Sequence, residues 1–141
     1  MIPFDLRPRG YSFEEAVEFL ARLSTDGNLF YLEVQQYLDF AYPTLLAATL
    51  GFAIYLLAPR RWGSLRLVLS FVAIPGAIFD YLENQAVAQM LRLNIEDVTS
   101  QLVETASRWT VLKSMSTTLA AVVLLIILLW WAWQRFKMRL A

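Results

Sequence analysis

The chain has 141 residues, 58% of them hydrophobic and only 17% charged, and its mean hydropathy is +0.49. Charge-free runs of 20 residues (Phe40 to Pro59) and 21 residues (Ser114 to Gln134) are long enough to cross a bilayer, which argues against a small soluble enzyme. With no His and no Cys there is no Ser–His–Asp triad, thiol nucleophile, His-ligated haem, iron–sulfur cluster, Cys/His zinc site or disulfide; twelve basic and twelve acidic residues cancel, so nothing points to nucleic acid.

Residues 1–11 form a polar lead containing Pro3, Asp5, Arg7, Pro8, Arg9 and Gly10. No apolar stretch follows its arginines, so it is not a signal peptide. Ser12 with Glu15 three residues on is a capping box and predicts an interfacial amphipathic helix near 12–25. Phe13, Val17 and Leu20 lie on its apolar face, and Glu14, Glu18 and Arg22 on the other. Asp26-Gly27 is expected to stop it, with Gly27 beyond its C-terminus.

The first span is predicted near 29–58, interrupted by Pro43 and Gly51, and Pro59 to Gly63 is a turn. The second span is predicted near 64–92 as one helix, although Asp80, Glu83, Asn84 and Gln85 interrupt its apolar run. A second interfacial amphipathic helix near 95–107 carries Ile95, Val98, Leu102, Val103 and Ala106 as its stripe. The third span is predicted near 110–136, followed by a basic tail. The fold class is thus an all-α membrane protein, a single bundle over 1–141 with three transmembrane and two interfacial helices.

Arg60, Arg61 and Arg66 in the first loop, and Arg135, Lys137 and Arg139 in the tail, have no acidic neighbours. The positive-inside rule puts both in the cytoplasm, and three spans then leave the N-terminus outside a multi-pass cell-membrane protein. Trp62, Trp130, Trp131 and Trp133 suit the inner interface, and Tyr31, Tyr37 and Trp109 the outer one.

At 1.5 Å per residue, Asp39 and Tyr42 lie about 27–32 Å from Arg60, Asp80 to Asn84 about 21–27 Å from Arg66, and Lys113 to Thr117 about 27–33 Å from Arg135. Three helices therefore bring polar groups to one depth, in the outer third of the membrane. The candidate cluster is Asp39, Tyr42, Asp80, Glu83, Asn84, Lys113 and Thr117. Charges at such depth face a bundle interior and pair, so Lys113 is expected within salt-bridge reach of Asp80 or Glu83. The same groups also suit simple helix packing. No cofactor or metal site is indicated.

Three motifs resemble a family of uncharacterised bacterial multi-spanning membrane proteins. They are Asp5-Leu6-Arg7-Pro8-Arg9-Gly10-Tyr11-Ser12 (D-x-R-x-x-G-Y-S), Asp80-Tyr81-Leu82-Glu83-Asn84 (D-x-x-E-N) and Thr110-Val111-Leu112-Lys113 (T-x-x-K), joined by Tyr31-Leu32 and by Asp39 with Pro43. The resemblance covers most of the chain. It implies an outside location for residues 1–28, because such proteins often carry one more span ahead of that segment.

Three functions fit. The first is an accessory or lipid-interacting bundle whose partners are membrane lipid, another protein or a further copy of the chain. The second is a membrane enzyme acting on a lipid or isoprenoid, with Asp80 and Glu83 as acid and base and Lys113 tuning them. The third is a proton- or solute-moving protein that uses the same groups as a relay. A cavity at the polar layer separates ligand-handling readings from a purely packed one.

Overall fold

The computed structural model describes residues 3–140; the side chains at 5, 25, 34, 36, 139 and 140, including Asp5 of the first motif, lie outside the described residues. Among the described residues every element is helical. Three helices are long and apolar enough to cross a membrane, over Tyr37–Leu57, Leu65–Arg92 and Ser100–Met138.

The short helix α1 (Phe13–Arg22) starts as its sequence requires. The Ser12 hydroxyl accepts from the Glu15 N–H at 3.2 Å, and the Glu15 carboxylate accepts from the Ser12 N–H at 2.8 Å. Glu14 accepts from its own backbone N–H and from the Ser12 hydroxyl, which hold its pKa below the ordinary glutamate value. The expected stop at Gly27 is corrected. α1 ends at an extended Leu23, and Gly27 lies in the first turn of the next helix, donating its N–H to the Ser24 cap at 3.1 Å. Ser24 is a good N-cap and wins this position, so Gly27 needs no left-handed conformation.

Helix α2 runs over 25–57 and includes a π-helical turn at Tyr31–Gln35. A tight turn follows at Arg60–Trp62, closed by Gly63 at φ +53°. Helix α3 (Leu65–Arg92) passes through Asp80 without a break and tightens to a 3₁₀ turn at Phe71–Ala73, just ahead of Pro75. Proline supplies no N–H at that point and restricts the residue before it.

Helix α4 (Ser100–Leu140) is 41 residues long. The separate helix expected near 95–107 is corrected accordingly: 95–97 is a 3₁₀ turn, and the amphipathic stretch from Ser100 is the first part of the third spanning helix. The chain has no Gly or Pro after Gly76, so nothing between Trp109 and Lys113 ends a helix. At about 1.5 Å per residue α4 is about 60 Å long, twice a hydrocarbon core of about 30 Å, so it is longer than a crossing requires.

Two apolar cores result. One lies at the end that carries α1. Ala16, Phe19 and Leu20 of α1 pack with Phe4 and Tyr11 of the lead, Val87, Met90 and Leu91 of α3, and Val103 and Ala106 of α4. The Phe4 ring packs at a tilt against Tyr11 and Phe19, with centroids 4.7 and 4.5 Å apart, and the Arg7 guanidinium lies within 5.9 Å of all three rings. Gly10, at φ +81°, lets the lead touch α4, where the Tyr11 N–H donates to Ser107 Oγ at 2.8 Å. The second core, at the opposite end, is Ile54, Ala58 and Ile127 with Trp62 and Val123 against them. Arg61 lies over Trp130 at 5.1 Å beside it. The spans turn large apolar side chains outward, Phe40 at 74%, Leu56 at 72% and Leu129 at 62% exposure, which is surface suited to lipid.

The charges divide along the bundle axis. Among the described side chains, all eleven acidic ones lie toward the end that carries α1, with six of the basic ones. The other five described basic side chains are at the opposite end, in the turn at 60–66 and after residue 134.

Candidate functional site

Between the two cores lies a polar layer. Glu83 is fully buried where α3 meets α4, and Lys113 forms an ion pair with it. Lys113 Nζ is also 3.5 Å from Asp80 Oδ1, and the side chains of Asp80 and Lys113 are each only 13% exposed. The other Glu83 oxygen accepts from the Thr110 hydroxyl at 2.7 Å. Spacing explains the layout. Asp80 and Glu83 are three apart on α3, Thr110 and Lys113 three apart on α4, so each pair shares a helix face.

Pro43 shapes the rest. It lies inside α2 without an N–H, so the carbonyl of Asp39, four residues back, has no helical donor. Asn84 Nδ2 donates to that carbonyl at 3.4 Å and to Asp80 Oδ1 at 3.1 Å. One turn along, the Tyr81 hydroxyl donates to the Phe40 carbonyl at 2.6 Å and lies 2.6 Å from Thr44 Oγ1. The D-x-x-E-N segment thus divides its work. Asp80 and Glu83 hold Lys113 of α4, while Tyr81 and Asn84 serve the backbone that Pro43 disturbs in α2. Gln35, at the end of the π turn, donates to Asp39 Oδ1 at 3.0 Å. Such turns often mark functional positions.

Of the seven residues expected to meet, five do so: Asp39, Asp80, Glu83, Asn84 and Lys113. Thr117 lies one turn further along α4 and packs on Gly76, where an added Cβ would come within 2.7 Å of its hydroxyl. Tyr42 is 60% exposed and lies outside the ion-pair cluster, at the wall of the hollow beside it. Three partners lay outside the expected cluster: Gln35, four residues before Asp39 on the same helix face, Thr110 and Tyr81. Thr110 shares a helix face with Lys113, a signal present in the T-x-x-K spacing. Tyr81 gives no such signal, because it points away from its acidic neighbours.

A cavity of about 780 Å³ opens on this layer. Its polar lining includes Asp39, Asp80, Lys113 and Thr117; Leu38, Leu45 and Leu46 give it an apolar wall, and Leu6 and Pro8 of the lead complete it. This volume is in the range of small-molecule sites. Glu83 does not line it. A second hollow of about 510 Å³ between α2 and α3 has no charged residue in its lining, and a third of about 670 Å³ lies beyond the polar layer beside Asn28 and Glu96. Among the described residues no group of three or more acids is arranged to hold a metal ion.

No family model, curated protein or solved structure matches this chain.

Proposed function

We propose that this protein is a lipid-interacting helical bundle of the cell membrane that takes the head and upper chain of an amphiphile into the cavity beside Asp39, Asp80 and Lys113. The observation that carries this reading is the mixed lining: charged and hydroxyl side chains together with leucines. The charge division supports an arrangement with the α1 end outside and the basic end in the cytoplasm, so the cavity sits in the outer leaflet. Kinship with the bacterial membrane-protein family that shares the three motifs is part of the same proposal.

The enzyme alternative is weaker here. Both oxygens of Glu83 are engaged, by Thr110 and Lys113, and the side chain is enclosed, so it serves better to hold Lys113 than to exchange protons with a ligand.

Lipid extraction and mass spectrometry of the purified protein test the reading. The parent should retain about one lipid per chain through extensive detergent washing. Ala41→Trp, which fills the cavity from its α2 side, should retain none while melting normally. Equal lipid content in both proteins would remove the cavity from the function.

A further inference from the structure

Arg66, in the first turn of α3, stands at one end of the hollow of about 510 Å³ between α2 and α3. Its guanidinium lies over the Tyr55 ring at 4.0 Å, and Tyr55 and Leu67 line that end of the hollow. Among the described residues Arg66 is in no ion pair, and no acidic side chain lies at this end of the bundle. The hollow is thus an uncharged groove with a cation at its mouth. We propose that it seats one acyl chain of an anionic phospholipid, with the phosphate held by Arg66. This site stands apart from the cavity beside Asp39, with which it shares no lining residue.

The spacing of small residues makes the groove. Thr44, Ala47, Ala48 and Gly51 share one face of α2. At Gly51 the two helices come so close that an added Cβ would stand 3.0 Å from the Ser70 carbonyl oxygen. Hydroxyls in the lining serve the protein itself. Ser70 donates to the Leu67 carbonyl at 2.7 Å, Tyr81 donates to the Phe40 carbonyl, and Thr44 pairs with Tyr81. Hydrocarbon is the occupant that such a lining matches. From Thr44 to Tyr55 the groove runs about 17 Å. One leaflet's hydrocarbon is about as deep, being half of about 30 Å.

Charge decides which amphiphile enters. A guanidinium meets phosphate through two parallel N–H bonds. Arg60 and Arg61 in the preceding turn add to the positive field. A net negative headgroup is therefore favoured over a choline headgroup, which brings its own cation. A second copy of the chain is a poorer occupant. Inserted in the same orientation, it would bring its own Arg60, Arg61 and Arg66 to this level, like charge against like.

The test uses the full chain in choline-lipid vesicles with a trace of phosphatidylglycerol or phosphatidylcholine, spin-labelled on the acyl chain and read as the immobilised fraction by EPR. The parent should hold the glycerol lipid about tenfold more tightly than the choline lipid, the scale of one charged hydrogen bond. Arg66→Gln should bring the two within about twofold of each other. Arg60→Gln removes an equal charge outside the groove and should keep a preference of at least about fivefold. Ala48→Trp, which fills the groove from an exposed position, should erase the preference as Arg66→Gln does. Ala41→Trp, at the cavity beside Asp39, should leave it unchanged, so this site and that cavity stand or fall separately. Equal immobilisation of the two lipids in the parent overturns the proposal. So does an equal loss in Arg60→Gln and Arg66→Gln, which marks a diffuse charge effect, or a preference that survives Ala48→Trp in a folded protein. Loss in Ala41→Trp also overturns it, by moving the lipid to the other cavity. Both arginines lie outside the packed cores, so their comparison decides the matter even where Ala48→Trp fails to fold.

Discussion

Asn84 of α3 donates to the carbonyl of Asp39 on α2, the group that Pro43 leaves without a helical donor. A proline inside a spanning helix is tolerated when a neighbour satisfies the freed backbone, and here that neighbour is a side chain of the motif that also binds Lys113. The pairing yields a double-mutant test. Asn84→Ala should cost about 0.6 kcal/mol, up to about 1.7, in the parent. In a Pro43→Ala background the helix regains its own donor, and the Asn84→Ala cost should shrink to the part due to Asp80. Unfolding free energies in mixed micelles measure both; identical losses in the two backgrounds would disconnect Asn84 from the proline.

The lead is fixed by one glycine. At Gly10 φ is +81°, and an added Cβ would stand 2.5 Å from Ser107 Oγ, the atom that accepts from the Tyr11 N–H. Gly10→Ala should therefore weaken docking of residues 3–11 by about 1–2 kcal/mol from the backbone alone. Trypsin reports it, because the bond after Arg9 is cleavable and the bond after Arg7 is protected by Pro8. Cleavage after Arg9 should quicken at least severalfold in the variant. An unchanged rate would show that the lead does not depend on this contact.

The three spans, the capping box and the shared level of the polar groups along the bundle were all legible in the sequence, because charge-free runs, i to i+3 spacing and the rise of a helix are local quantities. The pairing of Lys113 was legible for a different reason: cost. A buried ammonium and two buried carboxylates on neighbouring helices have few better alternatives. What stayed hidden depends on competition or on relationships between helices. Ser24 outcompeted Gly27 for the role of boundary. The amphipathic stripe from Val98 to Ala106 looked like a separate interfacial helix, and only the lack of a breaker shows that it continues into the span. Tyr42 shares a stripe with Asp39, yet a stripe indicates a common face without saying which part of it meets a partner. The Asn84 contact follows from counting four residues back from Pro43, but the sequence does not say which helix supplies the donor.

Ser12 links a cap to a titration. Glu14 is held below the ordinary glutamate pKa first by its own backbone N–H and then by the Ser12 hydroxyl. A depressed carboxylate contributes stability above its unfolded pKa and loses it as pH falls through the folded value. Ser12→Ala should raise the Glu14 pKa part of the way toward normal and cost about 1 kcal/mol through the lost cap. An NMR titration of a Glu-labelled sample measures the first effect; a Glu14 pKa unmoved by the substitution would leave the backbone as its only cause.

Orientation is tested by labelling. Cysteine can be introduced cleanly, because the chain has none. With the α1 end outside, cysteine at Ser24 should react with an impermeant maleimide on intact cells, and cysteine at Ser64 should react only after permeabilisation. The reverse pattern would invert the bundle and move the cavity to the inner leaflet.

Lys113 decides whether the polar layer is held together by charge. It pairs with fully buried Glu83 and approaches Asp80 at 3.5 Å. Lys113→Met removes the cation and leaves two carboxylates facing one another in a site shielded from water, a change that costs about 3–5 kcal/mol when a buried pair is broken from one side. Adding Glu83→Gln removes the nearer stranded charge, and Gln can still accept from Thr110 through its carbonyl oxygen. The double variant should therefore be more stable than Lys113→Met alone, although it carries one more substitution. The comparison uses unfolding free energies of the parent, both single variants and the double variant in the same micelles. If the double variant is the less stable of the two, the costs simply add, and the layer is held by packing around Thr110 and Gly76 with the ion pair contributing little.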